Sequence, residues 1–172
     1  MTTPAVPPDT RPQPPETGSE RLLLDSFLDF HRETLLWKCA GLGDGQLRAR
    51  PVPTTTLSLL GLLRHLTDVE RGWFFDYLGE QATPVYYTDA APNDDFDALD
   101  SPEPAEVLTR YRAEVDRIRR DIAAVPLDTE HTDSRGRTFS LRWVYLHMIE
   151  EYARHNGHAD LLREAIDGAT GE

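Results

Sequence analysis

The stretch from Leu141 to Ile166 constrains the fold more than any other part of the chain. Its apolar residues recur at helical spacing. At about 100° per residue, Leu141, Val144, Met148, Tyr152, Ala159, Leu162 and Ile166 share one stripe. Ser140 stands where an N-cap belongs, with Phe139 and Val144 placed as a hydrophobic staple across it, and Gly168 follows as a stop. Arg142, Asn156, Asp160 and Arg163 are expected to point away from the stripe. Two residues break the pattern. Glu151 and His155 lie one turn apart inside the apolar stripe, with His147 and His158 at its margin. A carboxylate turned towards a core is costly unless it is paired or bound to a metal. Glu-x-x-x-His is also a natural two-ligand metal clip, because positions i and i+4 lie on one face.

Three further long helices are expected. The first runs from about Glu20 to Ala40, capped by Ser19, with Leu24, Phe27, Leu28, His31 and Leu35 inward. The second runs from about Leu57 to Leu78, capped by Thr55 or Thr56, with Leu59, Leu62, Leu66, Val69, Trp73 and Tyr77 inward. His65 falls on that face, and Glu70 reads as a surface or salt-bridge residue. The third begins at Ser101-Pro102 and carries Val107, Tyr111, Val115, Ile118 and Ile122 inward, with arginines on a salt-bridged outer face. Residues 45–56 read as a loop, and residues 79–101 as a long irregular connection. Its Tyr86 and Tyr87 are placed either to wall a pocket or to plug a bundle end. The acidic run Asp94, Asp95, Asp97 lacks calcium-loop spacing and reads as solvated. A short hairpin fits around Ser134-Arg-Gly-Arg137, with His131 exposed on a loop. Residues 1–18 hold six prolines and read as a disordered tail, leaving residues 19–172 as one helical domain.

Composition narrows the partners. A formal net charge of −12 argues against nucleic acid and anionic membranes. No apolar run is long enough to span a bilayer. The single cysteine, Cys39, excludes an intrachain disulfide and fits a reducing, cytoplasmic setting. No motif surrounds Cys39 that would make it a reactive thiol.

Two segments carry a family resemblance. Leu60-Gly-Leu-Leu-Arg-His-Leu-Thr-Asp-Val-Glu-Arg-Gly-Trp-Phe74 and His147-Met-Ile-Glu-Glu-Tyr-Ala-Arg-His-Asn-Gly-His-Ala-Asp160 closely resemble the DinB-like superfamily. The branch they most resemble is an actinobacterial one of unknown function, sometimes labelled mini-circle protein. The similarity covers roughly residues 20 to 168. It implies an all-α four-helix bundle in up-up-down-down order, with a divalent metal, zinc or nickel, held by three side chains. Those map onto His65, Glu151 and His155. Where the superfamily usually has His-x-x-x-His, this chain has Glu151, as in the mycothiol-dependent maleylpyruvate isomerase branch. His158 lies where many members carry glutamine.

Three N/O ligands with an open position describe a catalytic rather than a structural metal site. A thiol bound there loses its proton and becomes a nucleophile. Other members of the superfamily are mycothiol or bacillithiol S-transferases, so the resemblance implies transfer of a small thiol, mycothiol or a similar compound, to a small electrophile. His158 and His147 are assigned supporting or proton-transfer roles, and Arg154 an anionic group of the cofactor. The main alternative is a non-enzymatic metal-binding stress or interaction protein on the same fold. A metal hydrolase or isomerase without thiol, and a purely structural Glu151–His155 pair, complete the set. A homodimer is expected by analogy with related bundles.

Overall fold

Each long helix starts and stops where its capping chemistry allows. In the computed structural model, which describes residues 8–170, α1 spans Glu20–Cys39, and the Ser19 hydroxyl accepts the Leu22 N–H at its start. A short α2, Asp44–Arg48, interrupts what reads as a loop. Next comes α3, Leu59–Phe74, continued by a 3-10 turn over Phe75–Leu78. Ser58, rather than Thr55 or Thr56, caps α3 by accepting the Gly61 N–H at 3.0 Å. After a one-turn α4, Asp94–Asp97, α5 spans Pro104–Ile122. It begins two residues later than Ser101-Pro102 suggests. Pro104 occupies its first turn, where a missing N–H costs nothing, while the Arg64 guanidinium takes the carbonyls of Ala98 and Ser101 and holds that segment as a loop. An antiparallel ribbon, β1 (Glu130–Thr132) and β2 (Thr138–Ser140), pairs His131 with Phe139. It leads directly into α6, Leu141–Asp167, capped by Ser140 and closed by left-handed Gly168. The described chain is mostly helical, with four long helices and this one small sheet.

Packing follows from the stripes. α1 lies against α6, and α3 lies against both α5 and α6. Leu28 and Leu35, the leucines of α3 from Leu59 to Leu66, Tyr111 and Ile118, and Leu141, Val144, Met148 and Tyr152 supply the core. α3 is buried nearly all round, because Leu60 and Leu63 are covered as completely as Leu62 and Leu66. Phe27, expected inward, is 46% exposed. It lies at the edge of the α1 stripe. Arg32 of α1 is buried and forks onto Glu70 of α3, with both bonds at 2.6 Å. Glu70 is therefore a salt-bridge residue but not a surface one, being 0% exposed. Tyr152 donates to Glu70 at 2.8 Å and meets Tyr111 at 2.8 Å, so one network joins all four long helices. Asn156 and Arg163, expected outward, are also buried. The contact surface of α6 is wider than its apolar stripe, and Arg163 reaches the Lys38 and Ala40 carbonyls at the end of α1.

Residues 1–7, the first part of the tail expected to be disordered, lie outside the described residues. Residues 8–18 form no helix or strand. Arg11 nonetheless sits between the rings of Phe30 and Trp37, at 4.7 and 4.5 Å, and donates to Thr34 at 2.7 Å.

Glu70→Ala strands a buried guanidinium, so urea denaturation should show a loss of about 3–5 kcal/mol. Replacing both Arg32 and Glu70 by apolar residues should recover most of it. Arg11→Ala should cost about 1–2 kcal/mol in the same assay, which a detached tail would not.

Candidate metal centre and its cleft

His65 and the Glu151–His155 step face each other because α3 packs on α6. The rings of His65 and His155 stand 4.8 Å apart, centroid to centroid. His155 Nε2 is 3.5 Å from Glu151 Oε2. One ligand atom from each of the three residues lies within 4.8 Å of the others. With metal–ligand bonds of about 2.0–2.2 Å, such a set closes on one ion by small side-chain movements. Two imidazole nitrogens and a carboxylate oxygen suit zinc or nickel better than a hard, all-oxygen cation.

The surroundings set protonation. His65 Nδ1 lies 2.8 Å from Asp95 Oδ2. A carboxylate oxygen accepts, so His65 Nδ1 is the donor of this pair. Burial, then the nearby His65 and His158, pushes the His155 imidazole down to about 4. His158 Nδ1 stands 3.4 Å from His155 Nδ1. His147 stacks on Trp143, meets the edge of Trp73, and places Nε2 3.8 Å from Glu151 Oε1. His147 and His158 thus touch the two α6 members of the trio. Arg154 does not: it is exposed and pairs with Glu150 at 3.1 Å. His31 lies apart as well, with Asn156 donating to its carbonyl at 3.0 Å.

A cleft of about 580 Å³ opens beside His65. One wall is a single face of α3, made by His65, Asp68, Val69 and Gly72, running on to Asp76 in the 3-10 turn. Tyr87 and Pro92 come from the long connection, and Phe139, Arg135 and Arg137 from the ribbon. Tyr87 walls the cleft, whereas Tyr86 is buried with the Arg64 guanidinium 4.8 Å from its ring. His131 is half-buried on β1 rather than exposed on a loop, and its Nε2 is 3.2 Å from Asp76. Trp73 and Tyr77, expected in the core, also face this cleft.

Two carboxylates escape a sequence reading. Asp95, which reads as solvated, is 4% exposed. Asp68 accepts the N–H groups of Val85 and Tyr86 at 2.7 and 2.8 Å and so ties the connection to α3. A one-turn helix has no periodicity to detect, and the partners are 30 and 17 or 18 residues away.

The family model described as mycothiol S-transferase matches residues 23–168, from the first turn of α1 to the cap of α6. No curated protein matches the chain.

The depressed His155 value has a definite sign. The unfolded imidazole takes a proton near pH 6.5, the folded one only near 4, so the metal-free protein loses stability as pH falls through that interval. His155→Gln should flatten the slope of a Tm-against-pH plot over that range. Gly72 lies within α3 and a Cβ there would meet nothing within 4 Å. Gly72→Ala should therefore raise stability by about 0.5–1 kcal/mol in thermal denaturation.

Proposed function

The chain belongs to the mycothiol S-transferase family, a DinB-like family, and on that premise we propose that it is a divalent-metal-dependent S-transferase. It joins a mycothiol-type thiol to a small electrophile. The observation that carries this reading is the convergence of His65, Glu151 and His155 within 4.8 Å, with His65 also lining the open cleft. The functional domain is residues 19–172, with its long helices in the up-up-down-down order of DinB-like bundles. The setting is a reducing cytoplasm, in keeping with the one cysteine, Cys39, whose thiol burial pushes up to about 12.

His65 and His155 each offer a ring nitrogen and Glu151 an oxygen to the metal, zinc in first place and nickel in second. The bound ion supplies the Lewis acidity that keeps a thiol sulfur deprotonated and nucleophilic. His158, against His155, and His147, against Glu151, orient those ligands and accept the proton that leaves the thiol. The aromatic walls of Trp73, Tyr87 and Phe139 hold the body of the thiol or electrophile and exclude water. Arg154, expected to bind an anionic cofactor group, points to solvent and is given no part in this scheme.

Mass spectrometry of the purified protein should find about one zinc or nickel per chain, with loss of the metal from His65→Ala and His155→Ala variants that stay folded. Conjugation of mycothiol to a fluorogenic electrophile should fall to the background rate in the same variants. Gly72→Phe should raise KM while leaving metal content unchanged, because its side chain fills the cleft and not the ligand trio. Absence of metal after reconstitution would falsify the proposal. Metal without thiol transfer would favour the non-enzymatic alternative.

A further inference from the structure

The long connection between α3 and α5 brings one buried carboxylate to the trio. Asp95 sits on α4, and burying it without a partner would be costly. One of its oxygens accepts the N–H of Phe96 at 3.0 Å; the other accepts from His65 Nδ1 at 2.8 Å. The backbone of α4 is held by other groups. Arg64 donates to the carbonyl of Asp94 at 2.8 Å and to that of Ala98, and Arg50 donates to those of Phe96 and Asp97 at 2.7 and 3.2 Å. Gly61 lets Phe96 approach so closely that a Cβ would come within 2.8 Å of its ring. The carboxylate of Asp95 is therefore left to the histidine, and it is aimed before any ligand arrives.

Resting on the metal reading above, we propose that Asp95 is a positioning residue for His65. It fixes the ring orientation and the Nδ1–H tautomer, so that the Nε2 lone pair faces Glu151 and His155. Its charge makes that nitrogen a stronger donor. A carboxylate behind a ligating imidazole commonly contributes 10–100-fold in metal affinity. Asp95 also borders the cleft, and the role assigned to it is exerted through His65.

Asp95→Asn keeps the shape of the side chain and can still accept a hydrogen bond, but it lacks the charge and can also donate to Nδ1. Competition titration with a chromogenic zinc chelator should show a 10–100-fold weaker Kd than the parent protein, with Asp95→Glu recovering part of the loss. Nitrogen-15 NMR of the metal-free protein gives a second readout. The parent His65 should carry its proton on Nδ1, and Asp95→Asn should show a mixture of tautomers. A variant that binds zinc within twofold of the parent overturns the inference and leaves the metal reading standing. A parent His65 with its proton on Nε2 overturns the inference whatever the affinity. A parent protein that takes no zinc sinks the metal reading itself, and with it any metal-directed role for Asp95.

Discussion

The buried contact between Arg32 and Glu70 is the interaction on which the remaining architecture depends. An unpaired charge in that position would cost about 3–5 kcal/mol, so the pair strongly favours the register in which α1 and α3 meet there. Tyr152 and Tyr111 extend the demand to α6 and α5 through their hydroxyls. Burial, and then the charge of Glu70, pushes both phenols far above their ordinary range, which keeps them as donors. Tyr152 is the neighbour of Glu151, and Glu70 lies on the same helix as His65. The network therefore fixes the relative height of the two helices that present the ligand trio. Apolar packing alone tolerates sliding; a forked pair with both bonds at 2.6 Å does not.

Much of this arrangement is written in local pattern. The stripe on α6, its Ser140 cap and its Gly168 stop are all visible without coordinates, as are the α5 stripe and the ribbon after Pro126. The intrusion of Glu151 and His155 into an apolar face marks the site for the same reason: a periodic signal makes its own exceptions conspicuous. Glu70, Asp95, Asn156 and Arg163 are not conspicuous. Each is polar at a position where polarity ordinarily means exposure, and each meets a partner far along the chain, although the Asn156 Oδ1 is left buried without one. Phe27 errs in the opposite sense, an apolar residue at the edge of a stripe that stays 46% exposed.

The connection between α3 and α5 shows why a segment without regular pattern can still be rigid. Arg64, His65 and Asp68 are successive members of one stretch of α3, and each grips a different part of it: carbonyls, a side chain and amide groups respectively. His65 and Asp68 also line the cleft, together with Val69, Gly72 and Trp73 further along the helix. One helix thus organises both the ligand trio and the space beside it, which is consistent with its burial on almost every side.

The pairing of α1 with α6 bears on how the protein is made. Arg163 closes the end of α1 through the carbonyl of Lys38, 125 residues earlier in the chain. At about 5–20 residues per second, a ribosome takes on the order of 10 s to add that interval. Throughout it Leu28 and Leu35 lack the surface they finally cover, and Arg163 is not yet there to close the helix end. Part of the apolar stripe of α1 therefore stays uncovered during synthesis, and the helix is completed only when α6 is made.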